Sequence, residues 1–398
     1  MNIYHSIADV PTPHTPVVAT IGNFDGVHLG HQGVIAEVIE RARFLGGRSL
    51  AITFNPHPAR VLRPDTPFPL LTPLHRRLEL LADTGIDATL VLPFTDELRH
   101  LHPRDFVTSI LVNALHVTEI HEGENFRFGY HAEAGMTGPT GLASLGQALG
   151  FGVTIYAPRM VRGAPVSSSR IRKLLTGAGD VSHARALLGR PFSIESTPAP
   201  GRGYGKTYAV PTINFAPYPE LLPAYGVYIT TLTIGGYPEA GSPMLQHGVS
   251  SGLPGPEEGY PEAGSPMLQH GVSSGLSGTG GYPEDLSSGL SGPGKMKGLQ
   301  PLGQTFPSVT NIGNRPTFGT DSFAVESHLL DFHPLEGDQA LNEQTPLRLT
   351  FLRRLRAERP FPTTQALRDQ IARDVTHARR YFSLCRLLAP TPPTPNAG

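Results

Sequence analysis

Cysteine is almost missing from this chain. Across 398 residues it occurs once, as Cys385, which excludes an internal disulfide framework, leaves no cysteine cluster for zinc, and fits a reducing compartment. A surplus of either charge is missing too. Lys and Arg number 32 against 33 Asp and Glu, a formal net charge of −1. No global field therefore draws the chain to nucleic acid or to an anionic membrane, and any phosphate it binds must be held locally. The apolar runs break off well short of the roughly 18 residues that a membrane-spanning helix needs. The first residues, MNIYHSIADVPTPH, carry no basic segment followed by a hydrophobic one, as a signal peptide would. These absences predict a soluble, cytoplasmic protein with neither membrane nor nucleic-acid partners. What is plentiful is glycine, at 45 residues, and proline, at 40, and neither is spread evenly. The length accommodates two domains, each with its own core.

Val17 to Ile21 is a short apolar run that reads as a strand, and after it Val34, Ile35, Val38, Ile39 and Ala42 fall at helical spacing until Gly46 and Gly47. Arg48 to Phe54 reads as a second strand, so residues 17 to 54 form strand, crossover helix, strand, the unit of a parallel sheet. The pattern continues with helix 74–84, strand 88–92, helix 103–115, strand 117–121, helix 139–149 and strand 152–156. Beyond about residue 190 it gives way to separated β-rich runs at 225–234, 309–312, 323–332 and 346–355, with a last helix near 363–384. A small antiparallel β-barrel with a C-terminal helix is the simplest arrangement of those pieces. Its first strand is expected at 196–201, where Pro198 and Pro200 each remove a ladder donor and so restrict it to an edge.

Between the β runs, residues 237–253 recur unchanged at 260–276, and a shortened echo begins at Tyr282, a spacing of 23 and then 22 residues. Gly, Ser and Pro dominate and no amphipathic face emerges, which predicts a disordered insertion of about 236–303 rather than a solenoid. A surface loop tolerates such length because closure entropy grows only logarithmically. The tail after Ala389 has the same disordered composition.

The chemistry-bearing stretch is TIGNFDGVHLGH at 20–31. A strand, a glycine-containing loop and a helix start form the place where parallel α/β sheets bind ligands, and the free N–H groups of a first helical turn suit phosphate. His28 and His31 can both turn toward that point as hydrogen-bond donors; alone, the stretch reads equally as a tight turn with a helix cap. Three further motifs follow: TFNPHP at 53–58, GENFRFG at 123–129 and SSSRIR at 167–172. In this order they resemble the adenylyltransferase half of the bacterial bifunctional riboflavin kinase/FAD synthetases, which implies a Rossmann-like nucleotidyltransferase domain that transfers AMP from ATP to the phosphate of FMN. The resemblance places Gly22, Asn23, Phe24, Asp25, Gly30, Asn125, Ser167, Ser168, Ser169, Arg170 and Arg172 at the nucleotide, Arg127 at the flavin, and His28 and His31 in catalysis. The phosphate of FMN is already an anion, so no general base is required, and the histidines are expected to neutralise charge on the leaving pyrophosphate. His57, between two prolines, reads equally as a loop residue or a substrate contact.

The stretch GKTYAVPTINF at 205–215, with GVY at 226–228, NIGNRPTFG at 311–319 and VESHLLDF at 325–332, resembles the riboflavin kinase half of the same family. The resemblance places Gly205, Lys206, Thr207 and Pro211 at ATP and Thr212 and Asn214 at Mg²⁺. It makes Glu326 the base that takes the proton of the riboflavin 5′-hydroxyl, and Arg368 and Asp374 flavin contacts. By pattern, Arg368, Gln370 and Asp374 read instead as the solvated face of the last helix. A hydroxyl and an amide carbonyl are hard oxygen donors that suit Mg²⁺, and a hydroxyl nucleophile, unlike a phosphate, needs a base. Lys206, Ala209 and Ile213 depart from the family's usual arginine, glycine and alanine. The implied whole is a bifunctional enzyme, with an adenylyltransferase domain at 1–186, a kinase domain at 187–388 and a tail at 389–398, acting on riboflavin, FMN and ATP. The alternatives are FAD synthesis alone beside an impaired barrel, a flavin-binding module with neither activity, and an unrelated adenylyltransferase acting on a different phosphate acceptor, which the barrel motifs disfavour.

Overall fold

The computed structural model describes residues 1–126, 138–199, 212–235, 303–314, 323–330 and 342–388. The repeat insertion and the C-terminal tail lie outside these residues, as do Arg127, Gly205, Lys206, Thr207, Ala209 and Pro211. The N-terminal half comprises β1 (Asn2–Tyr4), β2 (Val17–Ile21), α1 (Leu29–Phe44), β3 (Arg48–Asn55), α2 (Pro58–Leu62), α3 (Leu74–Ala82), β4 (Ala88–Pro93), α4 (Asp96–His100), α5 (Pro103–Phe106), β5 (Val117–Gly123), α6 (Gly138–Leu149) and β6 (Gly152–Tyr156). Its six strands are all parallel, in the order β1-β4-β3-β2-β5-β6. All five residues of β2 are buried, as expected of a central strand covered on both faces. The helix expected over 103–115 begins as α5 and widens into a π-helical stretch at Val107–Ala114. That stretch and α6 cover one face of the sheet, with Val107, Ile110, Leu111, Leu142 and Leu145 against Ala19, Ile21, Ile52 and Leu90. On the other face Ile35, Ile39, Leu80 and Leu81 of α1 and α3 pack with Ala51.

A small hairpin, β7 (Met160–Val161) and β8 (Ala164–Pro165), leads to α7 (Ser168–Lys173) and α8 (Val181–Leu188). The expected boundary at 186/187 therefore falls inside α8. The second half contains β9 (Phe192–Ser196), β10 (Thr212–Asn214), β11 (Gly226–Ile234), β12 (Gln304–Asn314), β13 (Phe323–Leu329), β14 (Leu347–Ala357) and α9 (Thr364–Leu388). Its sheet is antiparallel, in the order β10-β13-β12-β11-β14-β9. The two edges of that sheet meet where Pro198 pairs with Phe215, flanked by hydrogen bonds from Ala199 N to Asn214 O and from Ala216 N to Thr197 O, both 2.9 Å. The curl closes into a barrel at this seam. The expected first strand at 196–201 is thus displaced: the strand is Phe192–Ser196 and stops before the prolines, and Pro198 sits in an isolated bridge where no ladder donor is required.

Inside the barrel, Tyr228, Leu232, Ile312, Val325, Leu347, Leu349 and Phe351 pack in one cluster with Ile171, Leu175, Val181, Ala184 and Leu187. One core therefore runs from α7 and α8 into the barrel interior. Ile213, which departs from the family's alanine, belongs to that cluster and is buried, so its larger side chain fills interior volume. A buried chain of hydroxyls crosses the same interior. Thr230 Oγ1 lies 2.7 Å from both Ser308 Oγ and Thr310 Oγ1, and Thr310 donates to Ser327 Oγ at 3.0 Å. On the outer face, α9 packs Ala378 and Val375 against Val227, Ile229 and Val309. Its Gln370 and Asp374 are buried rather than solvated: Arg356 Nε reaches Asp374 at 3.0 Å, and Gln370 Nε2 donates to the same carboxylate at 3.0 Å.

Candidate active sites

In the parallel sheet the strand order reverses between β2 and β5, and the crevice beyond their C-terminal ends is where such sheets hold ligands. Gly22 and Asn23 leave β2 there, and Asn125 follows β5 on an exposed turn. The two strands pair only as far as Ala19 opposite Ile120. Beyond that point Glu122, which is 3% exposed, takes the place of a backbone acceptor and receives the N–H of Ile21. Burial drives its carboxyl well above the usual carboxylate range.

The loop from β2 to α1 bends through left-handed conformations at Phe24 (φ 45°), Gly26 (φ 86°) and Val27 (φ 36°). Asp25, at its centre, accepts hydrogen bonds from the N–H groups of Leu71 (3.1 Å) and Thr72 (3.0 Å) and pairs with Arg172. Burial raises the Asp25 carboxyl against the opposing pull of Arg172. The loop delivers His28 as the N-cap of α1, its Nδ1 accepting the N–H of His31 at 3.3 Å. An imidazole that accepts at Nδ1 carries its neutral-state proton on Nε2, which fixes His28 as an Nε2–H donor. The two histidine rings stack with centroids 3.6 Å apart, and Phe24 meets His31 edge-on at 5.3 Å. Burial brings His28 down to about 4 and His31 well below its ordinary value, so both are neutral at pH 7. Among the described residues the buried Nδ1 of His31 has no hydrogen-bond partner, a deficit of about 1–3 kcal/mol. A Cβ at Gly30 would come within 3.2 Å of the His28 ring, so glycine lets the ring lie over the helix start.

The serine motif lies across the same loop. Ser167 caps α7 by accepting the N–H of Arg170, and Ser168 Oγ donates to the carbonyl of Asp25 at 2.8 Å. The two arginines engage protein groups. Arg170 donates to the carbonyls of Val161, Ala164 and Pro165, and Arg172, besides Asp25, lies 4.3 Å over the Phe68 ring. His57 caps α2, with Nδ1 accepting the N–H of Ala59 at 3.0 Å, and faces Phe68. Burial, reinforced by Arg172, Arg77 and Arg60, brings it down to about 3. Of its two readings, the loop role has this local support.

Three residues hold the loop in shape, of which Gln32 closes the motif at 22–32 and the other two lie outside every motif. Arg77, 1% exposed, donates to the carbonyl of Asn23 at 2.6 Å and to Thr53 Oγ1 at 3.2 Å. Arg190 and Gln32 hold the carbonyls of Gly26 and Val27 from behind. All three act on backbone carbonyls brought near by folding, and no motif records such a contact.

On the barrel, register brings the expected kinase residues together. Asn214 of β10 lies directly opposite Glu326 of β13, and Thr212 opposite His328. Val325, Ser327 and Leu329 point inward and are buried, so Glu326 and His328 share the outer face with their cross-strand neighbours Thr212 and Asn214. Directly opposed residues have Cβ atoms about 5 Å apart. Arg368 lies exposed on α9, whereas the Asp374 carboxylate is engaged by Arg356.

Two family models cover these halves: the one described as FAD synthetase matches residues 10–170, and the one described as riboflavin kinase matches 188–382. The bifunctional riboflavin kinase/FMN adenylyltransferase of Pseudomonas fluorescens is 30% identical over 380 residues, which cover 95% of this chain and 97% of that protein. The chain belongs to this family. Its relative of the same name in Escherichia coli K12 is 27% identical, covering 94% of this chain and 95% of its own. The one in Listeria monocytogenes is 32% identical over 252 residues, 62% of this chain and 78% of its own. A crystal structure described as a macrolide-efflux protein from Streptococcus pneumoniae shares the fold, with a TM-score of 0.67 at 21% identity over 95% of this chain and 98% of its own. The protein is a transferase that phosphorylates riboflavin and adenylylates FMN, using ATP. Among the described residues no helix is long and apolar enough to cross a membrane.

Proposed function

We propose that the two reactions occupy separate sites, adenylylation in the crevice beyond β2 and β5, and phosphorylation on the outer barrel face along β10 and β13. The observation that carries the first assignment is the stacked, neutral His28–His31 pair at the start of α1. In FMN adenylylation a phosphate oxygen of FMN attacks the α-phosphorus of ATP while the bond to pyrophosphate breaks. No proton has to leave the nucleophile. What the site must supply is alignment and donors for the charge that grows on the departing pyrophosphate. The Nε2–H of His28 and the ring of His31 serve that end, with the free N–H groups of the first turn of α1. Gly22, Asn23 and Asn125 border the nucleotide. Phe24 supports His31, while Asp25 and Arg172 hold the loop and Ser167 and Ser168 join it to α7; Ser169 and Arg170 complete that motif.

For phosphorylation, Glu326 accepts the proton of the riboflavin 5′-hydroxyl as its oxygen attacks the γ-phosphorus and ADP departs. The Asn214 amide oxygen opposite it and the Thr212 hydroxyl opposite His328 are hard donors on the same face, a set that fits Mg²⁺. Bound there, Mg²⁺ would neutralise charge on the ATP phosphates. Arg368 approaches the flavin from α9, and Asp374 contributes by anchoring that helix to β14 through Arg356. The adenylyltransferase and kinase domains divide near residue 187, and the setting is cytoplasmic, where ATP is supplied.

The test is purified full-length protein with riboflavin, ATP and Mg²⁺, with flavins resolved over time. His28→Ala should abolish FAD formation while FMN still accumulates, and Glu326→Ala should stop FMN formation while added FMN is still converted to FAD. Loss of both activities in each variant would refute the two-site assignment.

A further inference from the structure

The loop that presents His28 does not hold its own shape. Three of its four residues from Phe24 to Val27 have positive φ, and one of them is β-branched. A valine in the left-handed region is strained, and such a conformation persists only where the surroundings impose it. On the front, Asp25 is tied to the N–H groups of Leu71 and Thr72, and Gly26 N donates to Thr72 Oγ1 at 3.0 Å. The back is held largely by one side chain. Arg190 donates to the carbonyl of Gly26 at 2.7 Å and to that of Val27 at 3.2 Å, and reaches the carbonyl of Leu188 at 3.3 Å. Gln32 supports it by donating to the carbonyls of Val27 (2.7 Å) and Leu188 (3.0 Å).

The position of these carbonyls has a direct consequence for the histidines. The peptide unit is planar and trans, so a Val27 carbonyl turned toward Arg190 sends the N–H of His28 the opposite way. The orientation of that peptide plane sets where the cap of α1 begins, and so where the His28 ring and its stacked neighbour lie. Arg190 also belongs to a different part of the chain from the loop it holds. It follows α8 within the segment that matches riboflavin kinase, 163 residues after Val27.

We infer that Arg190 is a positioning residue for adenylyl transfer: by clamping the Gly26 and Val27 carbonyls from behind, it keeps His28 and His31 aimed at the nucleotide phosphates. This inference rests on the assignment of the two histidines to that reaction. Its corollary is that the adenylyltransferase site is completed by the first residues of the kinase segment. A chain cut at 186/187 would lack this clamp even with every motif residue retained. A cavity of about 350 Å³ lies behind the loop, lined in part by Val27, Gln32, Asp83 and Arg190.

That cavity makes a chemical-rescue experiment feasible. In full-length Arg190→Ala, kcat for FAD formation from FMN should fall about tenfold or more, because a displacement of the order of 1 Å at the reacting groups has that effect. KM for FMN and the rate of FMN formation from riboflavin should stay within twofold of the unaltered protein. Guanidinium ion, added well below denaturing concentrations, should restore part of the lost kcat in Arg190→Ala and none in His28→Ala. Arg190→Lys, which keeps the charge but not the fork that spans two carbonyls, should show the same selective loss in a milder form. Unchanged adenylylation in Arg190→Ala, or a selective loss that guanidinium does not relieve, overturns the inference. If Arg190→Ala loses both activities, Arg190→Lys decides: a loss confined to FAD formation supports the clamp, and an equal loss of both refutes it. If His28→Ala itself retains FAD formation, the fault lies with the histidine assignment.

Discussion

Acid should destabilise the folded protein through its buried histidines, and His28 allows the effect to be measured one residue at a time. Burial holds its folded-state pKa at about 4, while in the unfolded chain it returns to an ordinary value near 6.5. As pH falls below 6.5 the unfolded chain binds a proton that the folded state refuses, so stability decreases with falling pH until the folded pKa is reached, and levels off beneath it. Between pH 7 and pH 5 the loss from His28 amounts to about 2 kcal/mol. His57, at about 3, and His31 shift in the same direction and add to the slope. The assay is denaturant unfolding at pH 7 and pH 5 for the unaltered protein and for His28→Asn. Asparagine is a favoured N-cap, so the helix start keeps its acceptor while the titrating group is removed. The unaltered protein should lose about 2 kcal/mol more than the variant between the two pH values, carboxylate effects being common to both. Equal acid losses would refute the reasoning, since they would mean that His28 binds its proton equally well folded and unfolded.

Two further outcomes follow from the barrel. Thr230→Val removes the group that joins Ser308 and Thr310, leaving buried hydroxyls with one partner fewer, and should cost about 1–3 kcal/mol by denaturant midpoint; a neutral effect would show that those hydroxyls re-pair. Deleting residues 237–298 should leave conversion of FMN to FAD unchanged in a steady-state assay, whereas its loss would tie the insertion to the first site.

The parallel sheet was legible because β2, buried on both faces, reads as an apolar run interrupted only by Thr20, and because α1 keeps its apolar residues at helical spacing. The edge strand β1 was not: three residues with a mostly exposed surface carry no periodic signal. β12 is far longer than its apolar core of 309–312 suggests. Its Ser308 and Thr310 are fully buried, but only because hydroxyls from neighbouring strands satisfy them, and a strand read in isolation places such residues outside. The proline-rich stretch at 196–201 misled for the complementary reason. It lies at the seam where the barrel closes, and that pairing cannot be anticipated before the register of the other strands is known. At the candidate sites, motifs marked His28, His31 and Glu326. They were silent on Arg77, Arg190 and Glu122, whose partners are backbone groups 54, 164 and 101 residues away along the chain.

The junctions around the insertion set what lengthening the chain there can disturb. β11 ends at Ile234 and β12 begins at Gln304, and these two residues are register partners across an antiparallel pair. Everything between them leaves and re-enters at one rung. Adding a single residue within a strand would turn each later side chain to the wrong face. Adding a whole 23-residue repeat beyond the rung shifts no residue of the barrel relative to any other, so growth of the repeats is uncoupled from the phase of the sheet. The hairpin is a splice point at which sequence can be copied repeatedly while the barrel strands keep their register.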